Sequence, residues 1–252
     1  MIHFVGAGSG AADLITVRGA KLLGEADVII YAGSLVNPEL LEYAKPECEI
    51  HNSAHMTLEE VIAVMKTAES AGKVTVRLHT GDPSLYGAHR EQMDLLDEEG
   101  IAYDVVPGVS SFCGAAAALR AEYTLPNVSQ SVIITRMEGR TPVPQGEKLH
   151  LMASHGCTMV LFLSTSLLEQ AQEELLAGAY EPDTPAAIVY KATWPDEQVW
   201  HCTVGTLAET AREAGVKNTA LITIGGFLGD AYDRSKLYDP AFTHMFRKGT
   251  DE

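Results

Sequence analysis

Short apolar runs alternate with amphipathic stretches along the first 118 residues of the chain. The runs have the length of strands, and the amphipathic stretches show helical spacing between helix-capping residues. This alternation predicts a parallel sheet with right-handed crossover helices. The predicted strands cover residues 2–5, 28–31, 49–52, 74–78 and 102–106, and the predicted helices cover residues 17–25, 58–71, 87–99 and 111–119, with a short helix after Asn37.

Residues 120–130 lack a clear period and read as a linker to a second α/β half. The second half contains apolar runs at residues 131–135, 159–163, 186–190, 198–203 and 220–224. Residues 186–190 and 198–203 are separated by a Pro-Asp turn, which predicts a hairpin and therefore a mixed sheet. We expect two α/β domains, residues 1–120 and 121–252.

Capping boxes are expected at the start of several helices. In this motif, Ser or Thr is followed three residues later by Glu, and each side chain bonds the other residue's backbone amide. The motif occurs at Thr57, Ser166 and Thr206. Thr16 alone is expected to cap the first helix.

Composition and charge narrow the choice of partners. The chain is 46% apolar and 21% charged, and its formal net charge is −16 with no cluster of Lys and Arg. This charge disfavours nucleic acid and anionic membrane surfaces as partners. No apolar run has the length of a membrane helix, and the start lacks a secretion signal, so we expect a cytoplasmic protein. The four widely spaced cysteines predict reduced thiols and no CxxC metal site.

A glycine-rich loop, residues 6–10 with the sequence GAGSG, follows the first predicted strand. Glycines allow close approach of the backbone to a ligand, and dinucleotide-binding sites use such turns. The match is imperfect because Ala11 occupies the third glycine position and no acidic residue ends the second strand. A NAD site and a structural turn both stay open on this pattern.

Three further loops carry polar groups at predicted strand ends. Residues 79–87 (HTGDPSLYG) contain a tight turn whose amides suit an amino-acid-like cofactor, although Asp82 can also cap the next helix. Residues 106–111 (VPGVSS) bring two hydroxyl groups to a helix start, where Ser110 is an alternative N-cap. Residues 135–144 (TRMEGRTPVP) form either a carboxylate-binding loop or a solvated surface loop.

Together, residues 5–16, the Gly-Asp-Pro turn at 81–83 and residues 107–111 resemble the three motifs of the tetrapyrrole methylases, the class III methyltransferases. The order and spacing fit over about the whole chain. Residues 31–36 (YAGSLV), 135–142 and the tail 235–244 resemble one branch, which methylates C11 of precorrin-4 or cobalt-precorrin-4 in cobalamin biosynthesis. Ser9 departs from the proline that many relatives carry.

The resemblance implies two α/β domains with an active-site cleft between them, S-adenosylmethionine as methyl donor, S-adenosylhomocysteine as product and a homodimer. No metal site is expected, because His51 and His55 do not stand at helical spacing on a predicted helix. The expected cofactor-binding residues are Gly81, Asp82, Pro83, Ser110, Ser111, Leu163, Ala192 and Ala220. The expected substrate-binding residues, for a tetrapyrrole polycarboxylate, are Gly8, Ser9, Ser34, Arg136, Glu138 and Arg140. The candidate catalytic residues are Asp82, Tyr31 and Tyr86.

Alternatives remain at this point. A methylase of the same family acting on another corrin carbon or on the diphthamide precursor is opposed only by residues 135–142 and the tail. A NAD-dependent oxidoreductase would use the loop at residues 6–10. A non-enzymatic binding module is disfavoured by three unusual loops at one predicted sheet edge.

Overall fold

The structure is a computed structural model that describes residues 1–250, except for the side chain of Ser34. The chain forms two compact units. Unit 1 consists of Met1–Ala117 together with Lys191–Glu197, and unit 2 consists of Ala118–Tyr190 and the chain from Gln198 onward. The division of the chain at residue 120 into two domains stays a prediction.

Unit 1 contains a five-stranded sheet with the strand order β3-β2-β4-β1-β5. Every pair of neighbours in this sheet is parallel, as the strand–helix alternation predicted. The strands are β1 (Ile2–Gly6), β2 (Val28–Tyr31), β3 (Glu49–Asn52), β4 (Thr75–His79) and β5 (Tyr103–Val106). The central strand β4 is buried along its whole length because apolar side chains cover both faces of the sheet.

The helices of unit 1 are α1 (Val17–Glu25), α2 (Leu58–Ser70), α3 (Arg90–Glu98) and α4 (Ser111–Leu119). Thr16 caps α1 by accepting from the Gly19 amide at 3.1 Å, and the predicted capping box of Thr57 and Glu60 is confirmed. The short helix at Pro38–Tyr43 is a 3₁₀ helix.

The start of α3 differs from the sequence prediction. The helix begins at Arg90 and not near residue 87, because Tyr86 and Ala88 adopt left-handed backbone conformations with φ of 54° and 47°. His89 is the N-cap of α3. Asp82 therefore lies too far upstream to cap this helix, and its hydrogen bonds are made elsewhere.

Unit 2 contains a mixed sheet with the strand order β6-β7-β10-β8-β9. Strands β6 and β7 are parallel, and the other neighbours are antiparallel, including the predicted β8–β9 hairpin. The strands are β6 (Val132–Arg136), β7 (Thr158–Phe162), β8 (Pro185–Tyr190), β9 (Gln198–Thr203) and β10 (Ala220–Ile224). Because β10 runs against β7, its first residue lies at the sheet edge where β6 and β7 end.

The helices of unit 2 are α5 (Leu149–Ala153), α6 (Leu168–Leu176) and α7 (Leu207–Glu213). The capping boxes predicted at Ser166 and Thr206 are wrong. A 3₁₀ turn at Thr165–Leu167 runs directly into α6, so Ser166 cannot act as its N-cap. The Ala208 amide of α7 is capped by the Gln172 side chain at 3.0 Å, a tertiary contact that replaces the local one.

None of the helices between residues 1 and 250 has the length and apolarity that crossing a bilayer requires.

Candidate functional site

Three loops of unit 1 meet in a junction of glycines at the carboxyl ends of β1, β4 and β5. Gly8 and Gly81 exchange two backbone hydrogen bonds of 3.2 and 3.1 Å. A Cβ atom added to Gly6 would lie 2.6 Å from both the Gly108 Cα and the Gly81 carbonyl oxygen. The loops therefore pack backbone against backbone, which explains why the sequence uses glycine at these positions.

Asp82 links two of these loops through its carboxylate. One oxygen accepts from the Gly108 amide at 2.8 Å, and the other accepts from the Ser84 amide at 2.9 Å and from the Ser84 hydroxyl. Partial burial alone would raise the pKa of Asp82, but these hydrogen bonds outweigh it and lower the pKa. Asp82 is therefore ionised at neutral pH, and its contacts give it a positioning role between β4 and β5.

The donors predicted at residues 110 and 111 lie beside this junction. Ser110 is 6% exposed, and Ser111 is the first residue of α4. A Cβ atom on Gly81 would be 3.5 Å from the Ser110 Cα and 3.6 Å from the Ser111 nitrogen. No hydrogen bond joins the hydroxyl of either serine to another residue within 1–250. Both hydroxyls and the first amides of α4 are thus available as donors to a ligand at this edge.

Tyr31 and Tyr86 lie in neighbouring parts of the same unit. Tyr31 ends β2, beside Leu78 of β4, and its carbonyl oxygen accepts from the Ser53 hydroxyl at 3.0 Å. Tyr86 is 45% exposed and left-handed, with φ of 54°. Both tyrosines lie towards the loop edge of the sheet, so their candidate role is compatible with their positions. Pro83 is buried within the turn that carries Asp82.

Buried polar groups lie below the Gly81 turn, in β4. Burial, followed by the nearby charge of Arg77, lowers the pKa of His79 to about 3. Burial also lowers the pKa of Arg77 to about 10, and its guanidinium donates to Gln92 at 3.0 Å and to the Ile30 carbonyl at 3.2 Å. His79 is neutral at physiological pH, and we assign it a structural role.

The rest of the glycine loop is held by Asn37 and by a segment from the second half of the chain. The Asn37 side chain donates to the Gly10 carbonyl at 3.0 Å. The segment Lys191–Glu197, named here the strap, contacts the other side: the Thr193 hydroxyl lies 3.1 Å from the Ser9 hydroxyl. The sequence predicted a hairpin turn here and named only Ala192 of the strap as a site residue. Trp194 in such a turn was the signal that could have drawn attention to the rest.

The helix expected of a NAD site does not follow the glycine loop. Residues 12–14 form a 3₁₀ turn, and α1 begins only at Val17, seven positions after Gly10. A dinucleotide site needs the helix amino terminus directly after the glycine turn, where it binds the pyrophosphate. The NAD-dependent oxidoreductase interpretation is therefore wrong for this loop.

Two of the predicted second-half contacts share one edge of the unit 2 sheet. Leu163 follows β7, and its apolar side chain is 63% exposed. Its backbone is left-handed, with φ of 52°, which is uncommon for a residue other than glycine. Ala220 begins β10 and is buried, and its carbonyl accepts from the Thr165 hydroxyl at 3.0 Å. Ala192 is 6% exposed and belongs to unit 1, as part of the strap.

The arginine-rich loop after β6 begins at the same edge, since Arg136 pairs with Phe162 in the parallel ladder. The Arg136 guanidinium donates to the carbonyls of Met137, Thr141 and Pro142 at 2.7–3.3 Å, so it shapes its own loop. Arg140 is exposed and makes no ion pair with any residue that the structure describes. Arg140 is therefore the freer of the two cations for binding a carboxylate.

Glu138 lies between these arginines and pairs with Lys148. Their charged groups are 2.7 Å apart. The hydrogen bond from Lys148 lowers the pKa of Glu138, and the pair raises the pKa of Lys148 in turn. The predicted contact Ser34 falls on a side chain outside those that the structure describes.

Within the described part of the chain, no three His, Cys, Asp or Glu side chains are grouped so that they would hold a metal ion.

Comparison with known proteins gives the family. Residues 1–208 match the family model of the Tetrapyrrole (Corrin/Porphyrin) Methylases. This chain belongs to that family. It is 54% identical over 248 residues to the cobalt-precorrin-4 C(11)-methyltransferase of Methanocaldococcus jannaschii, covering 98% of this chain and 96% of the relative.

Two solved structures of tetrapyrrole methylases support the same fold. The X-ray structure of a cobalt precorrin-4 methyltransferase matches with a TM-score of 0.89 and 48% identity, covering 91% of this chain and 96% of that one. A uroporphyrin-III C-methyltransferase from Thermus thermophilus, complexed with S-adenosylhomocysteine, matches with a TM-score of 0.77 and 27% identity, covering 90% and 98%. The family and the fold class expected from the three loop motifs are confirmed.

Proposed function

We propose that this tetrapyrrole methylase transfers the methyl group of S-adenosylmethionine to C11 of precorrin-4 or cobalt-precorrin-4 in cobalamin biosynthesis. The observation that carries the proposal is the 54% identity, over nearly the full length, to a protein named for that reaction. The loop at residues 135–142 and the tail motif agree with the same branch of the family.

The donor groups of unit 1 fit the amino-acid end of the cofactor. The hydroxyls of Ser110 and Ser111 lie next to the Gly81 backbone without a hydrogen-bond partner among the described residues, and the amides at the start of α4 favour a carboxylate. In unit 2, the exposed Leu163 beside Ala220 offers an apolar surface suited to the adenine ring. We therefore propose that Gly81, Asp82, Pro83, Ser110, Ser111, Leu163, Ala192 and Ala220 form the cofactor site.

The substrate is a flat polycarboxylate, and a protein with a net charge of −16 must supply cations locally to bind it. We assign this role to the loop after β6, where Arg140 has no acidic partner within the described residues and Arg136 keeps the loop in shape. Gly8, Ser9, Ser34 and Glu138 complete the proposed substrate contacts. The Glu138–Lys148 pair fixes the far side of the same loop.

When bound, S-adenosylmethionine supplies a methyl group that is already activated by its positive sulfur. The protein's task is to hold the nucleophilic ring carbon in line with the S–CH₃ bond, and orientation of this kind supplies about 7–11 kcal/mol. The junction of Gly6, Gly81 and Gly108 keeps the cofactor loops rigid for this purpose. Asp82 acts through position, since its carboxylate is fully engaged by Gly108 and Ser84. Tyr31 and Tyr86 remain the candidates to contact the reacting atoms.

The proposal includes a homodimer in the cytoplasm, with no nucleic-acid or membrane partner. The family resemblance supports the homodimer, and the net charge of −16 argues against binding to polyanions.

Incubation with a labelled methyl donor tests the proposed reaction. Purified protein is mixed with precorrin-4, with and without cobalt, and the product is analysed by mass spectrometry and by NMR of the new methyl group. We expect one added methyl at C11, and the larger kcat/KM identifies the preferred form of the substrate. A product methylated at another carbon would overturn the assignment to C11.

Replacing Arg140 with alanine tests the substrate-binding loop. We expect KM for the tetrapyrrole to rise roughly 10- to 150-fold, because a lost charge-assisted hydrogen bond costs about 1.5–3 kcal/mol. The affinity for S-adenosylhomocysteine, measured by calorimetry, is expected to change little. Arg212→Ala, a change of the same kind at an exposed position of α7, is the matched control. Equal losses of both affinities in Arg140→Ala would contradict the assigned role.

A further inference from the structure

The strap, Lys191–Glu197, has an unfavourable backbone that its own contacts hold in place. Lys191 and Thr193 have φ of 47° and 68°, and a β-branched residue such as Thr193 rarely adopts the left-handed conformation. The Thr193 amide donates to the Glu197 carboxylate at 2.6 Å, and Lys191 pairs with Asp196 at 2.5 Å. Strain that is held by several contacts is typical of functional positions.

Each γ-substituent of Thr193 makes a different contact. The hydroxyl accepts from the Ala11 amide at 3.0 Å and shares a hydrogen bond with the Ser9 hydroxyl at 3.1 Å. The methyl group faces Gly114 of α4, where an added Cβ would lie 3.2 Å from it. The hydroxyl thus holds the glycine loop, and the methyl group packs against the helix that begins at Ser111.

The strap also closes on Gly10. A Cβ atom at this position would lie 2.6 Å from the Ala192 carbonyl oxygen and 2.6 Å from the Trp194 indole nitrogen. Lys191 lies over the Trp194 ring, with its ammonium 5.4 Å from the ring centroid, and so keeps the indole in position. The glycine loop is therefore clamped between the strap and Asn37, which bonds the Gly10 carbonyl from the other side.

These contacts join two parts of the proposed site that have different ligands. Ala192, a proposed cofactor contact, is the residue before Thr193, and Ser9, a proposed substrate contact, is its hydrogen-bond partner. We infer that Thr193 is a positioning residue whose hydroxyl fixes the glycine loop relative to Ala192, so that the methyl donor and the acceptor carbon stay aligned. The inference rests on the proposed function, because that function is the reason for expecting the cofactor at Ala192 and the substrate at Ser9.

Three substitutions of Thr193 separate the hydroxyl from the methyl group. Thr193→Val keeps the branched shape and the contact with Gly114 but removes the oxygen. Thr193→Ser keeps the oxygen and removes the methyl group. Thr193→Ala removes both without adding bulk, and it carries the test if the valine variant does not fold.

The expected result is a loss of turnover without a matching loss of cofactor binding. For Thr193→Val and Thr193→Ala, we expect kcat on the tetrapyrrole to fall roughly 10- to 100-fold, as a small misalignment of reactants does. The Kd for S-adenosylhomocysteine should change less than about threefold. The serine variant should restore kcat to within about threefold of the wild type.

Several results would overturn the inference. These are wild-type kcat in the alanine or valine variant, a serine variant as slow as the valine variant, or parallel losses of kcat, S-adenosylhomocysteine affinity and Tm, which would indicate a merely structural role. Wild-type protein that fails to methylate precorrin-4 in either form would contradict the proposed function instead, before any variant is compared.

Discussion

Gly108→Ala is expected to remove detectable S-adenosylhomocysteine binding and to lower the free energy of unfolding by about 3 kcal/mol, the upper part of the range for overpacked sites. The added Cβ would collide with the Gly81 carbonyl oxygen and lie 2.8 Å from the Gly6 Cα. Both neighbours are backbone atoms of loops that are themselves hydrogen-bonded, so neither can move aside cheaply. Urea unfolding and calorimetric titration with S-adenosylhomocysteine measure the two effects.

Gly146→Ala provides the matched control for this experiment. Gly146 has no heavy atom within 4 Å of an added Cβ, and it lies in a short 3₁₀ turn of unit 2. The same chemical change should therefore alter the free energy of unfolding by less than about 0.5 kcal/mol. If Gly108→Ala unfolds at the same urea concentration as Gly146→Ala, the close packing of the junction does not limit stability.

Asp82→Ala is expected to weaken S-adenosylhomocysteine binding by roughly 10- to 100-fold, since a hydrogen bond to a charged acceptor contributes about 1.5–3 kcal/mol and here orders the cofactor loops. The Gly108 amide would lose its acceptor, and the turn at Ser84 would lose two hydrogen bonds. Asp82→Asn keeps an oxygen for one of these donors and should recover part of the affinity. Isothermal titration of the wild type, Asp82→Asn and Asp82→Ala with S-adenosylhomocysteine measures the three affinities, which we expect to fall in that order.

Asp230→Ala is the control for the loss of one negative charge in Asp82→Ala. Asp230 is exposed, and its replacement changes the net charge by the same amount without touching a loop of unit 1.

Hydrogen bonding lowers the folded-state pKa of Asp82 below the usual value of 3.8, so the contribution of its carboxylate to the free energy of unfolding is complete above that pH. It is lost as the pH falls through the lowered pKa. An Asp82→Ala variant that binds as tightly as Asp230→Ala would show that the link between β4 and β5 is dispensable.

Local sequence signals predicted most of unit 1. Each strand was followed by a recognisable capping residue or glycine, and Thr57 with Glu60 forms its box entirely from local contacts. Ser166 and Thr206 carry the same signal but fail. At α7 the Gln172 side chain, distant in sequence, provides the cap, while at α6 a preceding 3₁₀ turn displaces the predicted start. Such tertiary contacts cannot be predicted from the sequence of the capped helix alone.

The candidate site was predictable in outline for a similar reason. The glycine loop, the Gly-Asp-Pro turn and the serine pair each stand directly after a strand, so parallel topology was enough to bring them to one edge. Arg136 was expected to bind substrate, yet its guanidinium bonds three carbonyls of its own loop, an arrangement set by the path of residues 137–142. Thr193 was missed because its partners lie more than 180 positions away in the sequence.

The strap has a consequence for protein engineering. Residues 191–197 are encoded in the second half of the gene, yet they belong to the compact unit of the first half. A chimera that joins the amino-terminal half of this protein to the carboxyl-terminal half of another methylase would bring in a foreign segment against Ser9, Gly10 and Ala11. Successful recombination therefore requires that Thr193 and Trp194 be transplanted together with the glycine loop, or that crossover points be chosen on both sides of them.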